Sequence, residues 1–150
     1  MTAEPRSRAE RRRDTEHRLS HDTDIWVATS SAGGVPYLVP LSFYWDGKAL
    51  LVATPRKSVT GRNLADSQTV QLGLGHTRDV TIIEGEVEVF EIDELPNGLA
   101  ERYVARAGWD PRADPTPCRW FCVTPRRIRA WREVNELPGR DLMRDGTWLA

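Results

Sequence analysis

The sequence is short of cysteine, histidine and net charge, and each shortage excludes a class of protein. The two cysteines, Cys118 and Cys122, are four positions apart in a strand-like segment. About 13 Å then separates them, which is too far for a disulfide, so we expect packed thiols. The three histidines are scattered, and no carboxylate cluster accompanies them at ligand spacing. Metal sites need such clusters, so we expect none here.

Charge and hydropathy narrow the class further. Lys and Arg total 21 against 22 Asp and Glu, so the balance gives no general attraction for nucleic acid or for an anionic membrane. No apolar stretch approaches the roughly 20 residues that span a bilayer, and the N-terminal segment lacks the apolar core of a secretory signal. We therefore predict a cytoplasmic protein with no membrane and no nucleic acid as partner.

The chain divides into a polar N-terminal part and a longer part rich in strands. Residues 1–23 are dominated by Arg and Glu, which favours a solvated helix or a partly disordered arm. Three arginines at 11–13 suggest nucleic-acid binding, but Glu10, Asp14 and Glu16 cancel their field, so we interpret them as a solvated helix face. Residues 24–150 are predicted to form one domain, whose length suffices for one hydrophobic core.

Segments rich in β-branched and aromatic residues recur from Asp24 to the end of the chain. The predicted strands are 25–30, 35–45, 48–55, 69–75, 79–91, 118–124, 127–133, 141–144 and 147–150. Two helices are predicted, one at 58–66 with Ser58 as N-cap and one at about 94–107.

Short signals connect these elements. Asp46-Gly47 and Asp145-Gly146 predict two-residue hairpin turns, Gly85 predicts a bulge, and Pro125 separates two strands. Many short antiparallel strands with few helices indicate a mainly β (α+β) fold. We predict an antiparallel split β-barrel with two or three short helices, since near-closure of the sheet protects its edges.

The strand predicted at 35–45 is apolar on both of its faces. Such a pattern is typical of a strand that is covered on both sides. One thin barrel cannot readily bury that much apolar surface, so we expect a second copy of the chain as cover and predict a homodimer.

The segment before the first barrel helix is a candidate phosphate site. Arg56 and Lys57 precede a helix start whose free N–H groups attract anions, and Ser58 and Thr60 add hydroxyl groups. Two cations beside a helix N-terminus oppose the helix dipole unless an anion lies between them. The alternative is an ordinary solvated turn from strand to helix, and these residues alone do not decide between the two.

A second candidate lies in the strand 127–133. Arg127, Arg129 and Trp131 project to one side of it, and Ile128 and Ala130 to the other. Guanidinium groups and an indole can line a site for an anionic ring system. The alternative is an exposed strand whose tryptophan caps the barrel, and Trp131 is the better site candidate of the three.

Taken together, three stretches of the chain resemble a known family. They are ATSSAGGVPYLVPLSFYWDGKALLVATPRKSVTGRNLADSQTVQLGLG, IIEGEVEVFE and WFCVTPRRIRAW. Their order and spacing, from about Asp24 to Trp131, resemble the conserved blocks of the pyridoxamine 5′-phosphate oxidase-like, FMN-binding split-barrel superfamily. The branch with the greatest similarity contains small proteins that use FMN or the deazaflavin coenzyme F420.

The resemblance implies a set of cofactor-binding residues. Four of them would lie against the cofactor from one strand: Val39, Pro40, Leu41 and Ser42. Two would end the next strand beside the ring, and six would surround the phosphate: Ala53 and Thr54, then Arg56, Lys57, Ser58, Thr60, Arg62 and Asn63. Trp131 would approach the ring from the other subunit. One position departs from the family pattern, because Thr60 stands where many relatives have Lys or Arg, and Lys57 or Arg62 would compensate.

The resemblance also implies a function. The protein would be an FMN- or F420-dependent oxidoreductase that transfers a hydride to or from a small organic substrate at a homodimer cleft. Because the cofactor would carry the chemistry, no catalytic triad or carboxylate pair is required. The alternative is a non-catalytic protein that binds, stores or senses a flavin, a deazaflavin or another planar ligand.

Overall fold

The computed structural model describes residues 3–96 and 98–149. The first two residues of the predicted N-terminal part, Asn97 in the second predicted helix and Ala150 at the end of the last predicted strand lie outside the described residues.

The described chain contains three α-helices and nine strands. The helices are α1 (Arg8–His21), α2 (Val59–Ser67) and α3 (Leu99–Ala107). The strands are β1 (Asp24–Ser30), β2 (Pro36–Ser42), β3 (Tyr44–Trp45), β4 (Leu50–Pro55), β5 (Thr69–His76), β6 (Asp79–Glu91), β7 (Cys118–Trp131), β8 (Asp141–Arg144) and β9 (Thr147–Trp148). No described helix is long and apolar enough to cross a bilayer.

All the strand pairs are antiparallel and belong to one sheet. The strand order is β2-β1-β5-β6-β7-β4-β3, and β8 extends the sheet from β7 and pairs with β9. The sheet curls until β2 contacts β4, although these two strands form no ladder. The fold is therefore an antiparallel split β-barrel with three α-helices, which confirms the predicted fold class.

The apolar side chains form two cores on the two sides of the curled sheet. The interior of the barrel is filled from alternate positions of every long strand, for example by Val27, Ile83 and Phe121. A second cluster lies outside the barrel, where α3 covers β4 and β7 and Tyr103 packs edge-on against Trp120. The sheet between α3 and the interior is thus buried on both faces.

The predicted strand 35–45 is not continuous and is not covered on both sides in the single chain. Phe43 is fully buried and separates β2 from β3. Val39 and Leu41 pack towards the interior, but Leu38 is 60% exposed because β2 is an edge strand. This exposed apolar surface is the one for which the sequence analysis expects a second copy of the chain as cover, and that expectation stays a prediction.

The prediction that Pro125 separates two strands is wrong, because Pro125 lies inside β7. It pairs with Gly85 at the point where the ladder with β6 shifts its register, so the predicted bulge is confirmed. A proline is tolerated there because its missing N–H falls where the ladder is already interrupted. Two further boundaries differ from the predictions: the Asp46 turn is a four-residue loop closed by its carboxylate, and α3 begins only at Leu99, after Gly98.

Helix α1 is anchored to the barrel rather than solvated on all sides. Ser7 and Glu10 form a capping box at its start. Arg11, expected on a solvated face, is only 4% exposed and donates to the carbonyl oxygens of Ala130 and Glu136. Its acceptors lie more than a hundred residues away, so no local pattern could reveal them.

Glu136 is the acceptor that fixes this N-terminal segment. Both of its carboxylate oxygens accept hydrogen bonds from Arg6, at 2.8 Å and 3.1 Å, and its side chain is almost fully buried. The bonds from Arg6, and those from the backbone N–H groups of Arg6 and Arg132, hold the pKa of Glu136 at about 2, below its ordinary value of 4.5.

We expect Glu136→Gln to lower the free energy of unfolding at neutral pH by about 2–3 kcal/mol. The folded-state pKa of this carboxyl is depressed, so its contribution is full above the unfolded pKa of about 4.5 and is lost as the pH falls towards 2. Urea denaturation between pH 7 and pH 3 measures both effects. Glu16→Gln, at an exposed ion pair on α1, is the control and should change stability by less than about 0.5 kcal/mol. Equal losses for the two variants would contradict this role of Glu136.

Candidate cofactor site

Three segments meet at the split of the barrel. They are the second half of β2, the end of β4 and the start of α2, and α2 contacts both strands. Strand β3 pairs only with Leu50 and Leu51, so the rest of the same edge of β4 has no neighbouring strand. The structure therefore brings the predicted cofactor residues of these segments to one place.

On β2, the hydrogen-bonding pattern shows which backbone groups face the split. Phe43 donates to Thr23 and Ser31 to Val35, so the odd-numbered residues of β2 face β1. The even-numbered ones, including Pro40 and Ser42, face the free edge. Val39 and Leu41 direct their side chains to the interior, and the Ser42 hydroxyl donates to Asp24 at 2.9 Å.

The end of β4 presents backbone rather than side chains to the split. Arg56 donates to Pro117 on the far side, so the even-numbered residues of β4 face β7 and the backbone of Ala53 faces the split. The Ala53 side chain is buried beneath α3. Thr54 is buried as well, with its hydroxyl 3.4 Å from that of Ser58.

Ser58 is confirmed as the N-cap of α2. Its hydroxyl accepts from the N–H of Gly61 at 3.0 Å and donates to the carbonyl of Pro55 at 2.8 Å. A side chain at Gly61 would collide with that same carbonyl, so the turn from β4 into α2 needs glycine there. The N–H groups of Val59 and Thr60 find no partner in the described chain. Two donors at the start of a helix are therefore available to an anion.

Three cations surround this helix start. Arg56, Lys57 and Arg62 are exposed, and no hydrogen-bond or ion-pair partner exists for their side chains among the described residues. The first turn of α2 contains no acidic residue. The local field is therefore positive and uncompensated, in a chain whose formal net charge is −1.

Two of the predicted phosphate residues face away from this surface. Thr60 and Asn63 are both buried. The Asn63 amide donates to the Thr29 hydroxyl at 3.1 Å and so ties α2 to β1. These two side chains position the helix, whereas the exposed cations Arg56, Lys57 and Arg62 are open to a ligand.

Trp131 is not brought to the split within one chain. It is half-buried at the far end of β7, where it pairs with Val80, and the Arg140 guanidinium lies 5.8 Å from its ring centre. The residue of β7 opposite Thr54 is Arg119, twelve positions before Trp131, or roughly 40 Å along the strand. Any contact between Trp131 and a ligand at the split requires a second chain.

The arginines beside Trp131 differ in whether their charge is paired. Arg127 forms ion pairs with Asp141 at 3.2 Å and with Glu84 at 3.6 Å. Arg129 differs, because its Nε atom is buried without a hydrogen-bond partner in the described chain.

One surface cavity lies away from the predicted site. Its volume is about 650 Å³, and it lies against Thr29, Gln71, Glu84 and Arg126. No predicted cofactor residue lines it. The sequence analysis also missed Trp26, whose indole is 51% exposed beside a smaller cavity of about 300 Å³. In the sequence, Trp26 stands out as a large apolar residue that shares the outer side of β1 with the polar Asp24.

The two cysteines lie on β7, and neither is an activated thiol. Burial raises the pKa of Cys122 to about 11, so this thiol stays protonated near neutrality. Burial raises the pKa of Cys118 as well, and both thiols are free, as expected. Within the described residues, no group of three or more His, Cys, Asp and Glu could hold a metal ion.

Comparisons with known proteins agree with this geometry. A family model described as pyridoxamine 5′-phosphate oxidase matches residues 15–132. No curated protein matches the chain.

Solved structures share the fold. An F420 reductase is 20% identical, with 75% of this chain and 94% of that chain covered and a TM-score of 0.61. A putative pyridoxamine 5′-phosphate oxidase from Listeria innocua is 15% identical, with coverages of 82% and 97% and a TM-score of 0.63. A heme binding protein from Mycobacterium smegmatis is 19% identical, with coverages of 97% and 60% and a TM-score of 0.66.

Because the Ser58 hydroxyl caps α2, two substitutions of Ser58 should differ in their effect on stability. We expect Ser58→Ala to lower the free energy of unfolding by about 1 kcal/mol, because the cap of α2 is lost. Ser58→Asp should keep most of the stability, because Asp also caps helices and its negative charge interacts favourably with the positive end of the helix dipole. Urea denaturation of the two variants measures the difference. If Ser58→Ala costs nothing, the hydroxyl is free for a ligand and this assignment is wrong.

Proposed function

The chain belongs to the pyridoxamine 5′-phosphate oxidase family, and from this premise we propose that it is an FMN- or F420-dependent oxidoreductase acting as a homodimer. The cofactor would bind at the split, and a small organic substrate would exchange a hydride with it. The observation that carries the proposal is the uncompensated positive surface at the start of α2.

The residues at this surface fit a phosphate group. Arg56, Lys57 and Arg62 would contribute charge-assisted hydrogen bonds, and the N–H groups of Val59 and Thr60 would bind phosphate oxygens directly. Ser58 would hold the helix start in place without contacting the ligand. Thr60, at the position where many relatives have a cation, would then act through its backbone, and the neighbouring cations would replace the missing charge.

The backbone facing the split suits the edge of a planar ring. The N–H groups of Ala53 and Ser42 and the carbonyl of Pro40 face this gap, and no paired strand receives them. A ring with alternating carbonyl and N–H groups complements such an edge. The cofactor, when bound, would supply the hydride chemistry, and the chain would bind, orient and partly shield it.

A second subunit would complete the site. Trp131 of the partner subunit would cover the ring, since Trp131 cannot reach the split of its own chain. Its indole offers a stacking surface for a planar system.

A second candidate is a protein that binds a planar ligand without turnover. The observation favouring it is that the groups facing the split are backbone donors and acceptors and the exposed cations Arg56, Lys57 and Arg62. One structural neighbour is described as a heme binding protein, so ligands other than flavins belong in the test.

One experiment separates these possibilities. The apo protein is titrated with FMN, with F420 and with heme, and each complex is then assayed for steady turnover with a reductant and a panel of acceptors. The proposal expects submicromolar binding of FMN or F420, followed by turnover. Saturable binding without turnover would favour the second candidate, and heme binding alone would replace the proposed cofactor.

We expect Arg56→Ala combined with Lys57→Ala to weaken FMN binding by about ten- to a hundred-fold, because charge-assisted hydrogen bonds to the phosphate are lost. Riboflavin has the same ring without the phosphate, so its affinity should not change. Calorimetry on both ligands measures this difference. Lys48→Ala removes the only other lysine, which is exposed in the loop before β4, and should have no effect. If the double substitution weakened the binding of FMN and of riboflavin equally, the phosphate would not bind at Arg56 and Lys57.

A further inference from the structure

Trp131, the last residue of β7, is held by its backbone rather than by packing of its ring. It belongs to neither hydrophobic cluster of the described chain. Its half-buried indole borders a surface cavity of about 290 Å³, which it shares with residues of the connection that follows β7. The Arg140 guanidinium lies beside the ring, but at 5.8 Å from its centre. The place of the indole therefore depends on what fixes the chain on either side of Trp131.

On one edge of β7, the strand ladder ends just before Trp131. Strand β8 pairs with Ile128 and Arg129, and beyond this ladder the N–H of Ala130 donates to the carbonyl of Arg140 at 3.0 Å. The carbonyl of Ala130 points to the same edge as its N–H, where β8 has not yet begun. A buried carbonyl without a hydrogen bond is unfavourable, so another group has to bind it.

Arg11 of α1 is that group. Its guanidinium donates to the carbonyl of Ala130 at 3.1 Å, to that of Glu136 at 2.8 Å and to that of Pro138 at 3.3 Å. The three acceptors are spread over the residues 130–138, which we call the connecting segment. Arg11 is only 4% exposed, so water cannot replace it at these carbonyls. Arginine suits the task because its donors diverge in a fixed plane and reach several acceptors at once.

The other side of Trp131 is held by charged groups. The N–H of Arg132 donates to the Glu136 carboxylate at 2.9 Å, and the Arg132 guanidinium donates to Asp79 at 3.0 Å. Asp79 in turn forms an ion pair with Arg18 of α1 at 2.8 Å. Both chain neighbours of Trp131 are therefore tied to the N-terminal helix, one directly and one through a carboxylate.

We propose that Arg11 is a positioning residue, which holds the connecting segment so that Trp131 reaches the ligand of a second subunit. This inference rests on the proposed function, since it gives α1 a part in the partner's cofactor site. Arg11 contacts no ligand and acts through Trp131. The N-terminal helix, which lies away from the split, is in this way required for a complete site.

A purely stabilising role for Arg11 leads to a different expectation. Helix α1 has other attachments to the barrel, because Leu19 is 1% exposed in the interior core and the hydroxyls of Thr15 and Thr81 lie 3.2 Å apart. The helix should therefore stay docked when the guanidinium is removed. Loss of a general stabiliser accelerates opening throughout the fold, whereas loss of a positioning residue loosens the connecting segment alone.

The first arm of the test uses the apo protein and contains no flavin. Hydrogen exchange, measured by mass spectrometry, follows hydrogen-bonded amides of the connecting segment, namely those of Ala130, Arg132, Glu136 and Leu137. We expect Arg11→Met to accelerate their exchange by at least about tenfold, because three carbonyls lose their donor. Exchange in β5 should not change. Arg11→Lys, whose ammonium cannot span all three carbonyls, should give a smaller increase.

Arg13→Ala is the matched control, because Arg13 is exposed and lies two positions farther along the same helix. Exchange in the connecting segment should then remain at the wild-type rate. Circular dichroism and a melting curve show whether each variant is folded. If Arg11→Met does not fold, Arg11→Lys carries the test, since it keeps the charge and one hydrogen bond.

The second arm measures whether the effect reaches the ligand through Trp131. Riboflavin is the probe, because it presents the ring without the phosphate. We expect Arg11→Met and Trp131→Ala each to weaken its binding by roughly three- to tenfold, the effect of losing one aromatic contact. The double variant should bind no more weakly than Trp131→Ala alone, because Arg11 has nothing to position once the indole is gone. A stacked indole quenches flavin emission, so the bound flavin should be brighter in all three variants.

The outcomes separate this inference from the proposed function. Unchanged exchange in both Arg11 variants, or exchange that is faster throughout the barrel, would overturn the inference. Effects of Arg11→Met and Trp131→Ala that multiply in the double variant would overturn it as well. A wild type that binds neither FMN, F420 nor riboflavin would refute the proposed function, and the exchange arm would still decide whether Arg11 holds the segment that carries Trp131.

Discussion

The sheet curls until β2 approaches β4 without pairing with it, and the gap between these strands determines what the rest of the structure can do. The gap opens at Phe43, a fully buried residue that lies between β2, which pairs with β1, and β3, which pairs with β4. Backbone groups that a closed barrel would use internally, such as those of Ala53 and Ser42, then face outward. Unpaired backbone polar groups are unfavourable when dry, so the gap favours either water or a ligand with its own donors and acceptors. Helix α2 begins at one end of this gap and adds a positive surface to it.

Tightly packed or hydrogen-bonded segments of the molecule surround this gap. On one side, β4 and β7 are buried on both faces by the interior core and by α3. On the other, Asn63 ties α2 to Thr29 on β1. Farther away, Arg6 and Arg11 attach the N-terminal segment to Glu136 and to neighbouring carbonyls. The start of α2 is thus held by packing and capping, which leaves its exposed cations free of any structural duty.

The sequence was informative where local chemistry decides the structure. Both bounds of β6 were predicted, because its apolar and acidic residues alternate and Gly85 signals the bulge. The N-cap at Ser58 followed from the same kind of local reasoning. Sequence reasoning failed where the deciding partner is remote: Pro125 is tolerated because of a bulge against another strand, and Arg11 is buried by carbonyls near the other end of the chain. Only part of the candidate site could be predicted from the sequence. Residue types indicate the cations, but they do not show which side chains, such as that of Thr60, turn inward.

The exposed apolar face and the incomplete split are consequences of the same curled sheet. A sheet that fails to close leaves one part of its outer surface without a helix, because α1 and α3 cover other parts. The strand that borders the split, β2, is also the edge of this uncovered face. The exposed Leu38 of β2 therefore lies on the same strand as backbone groups that face the split.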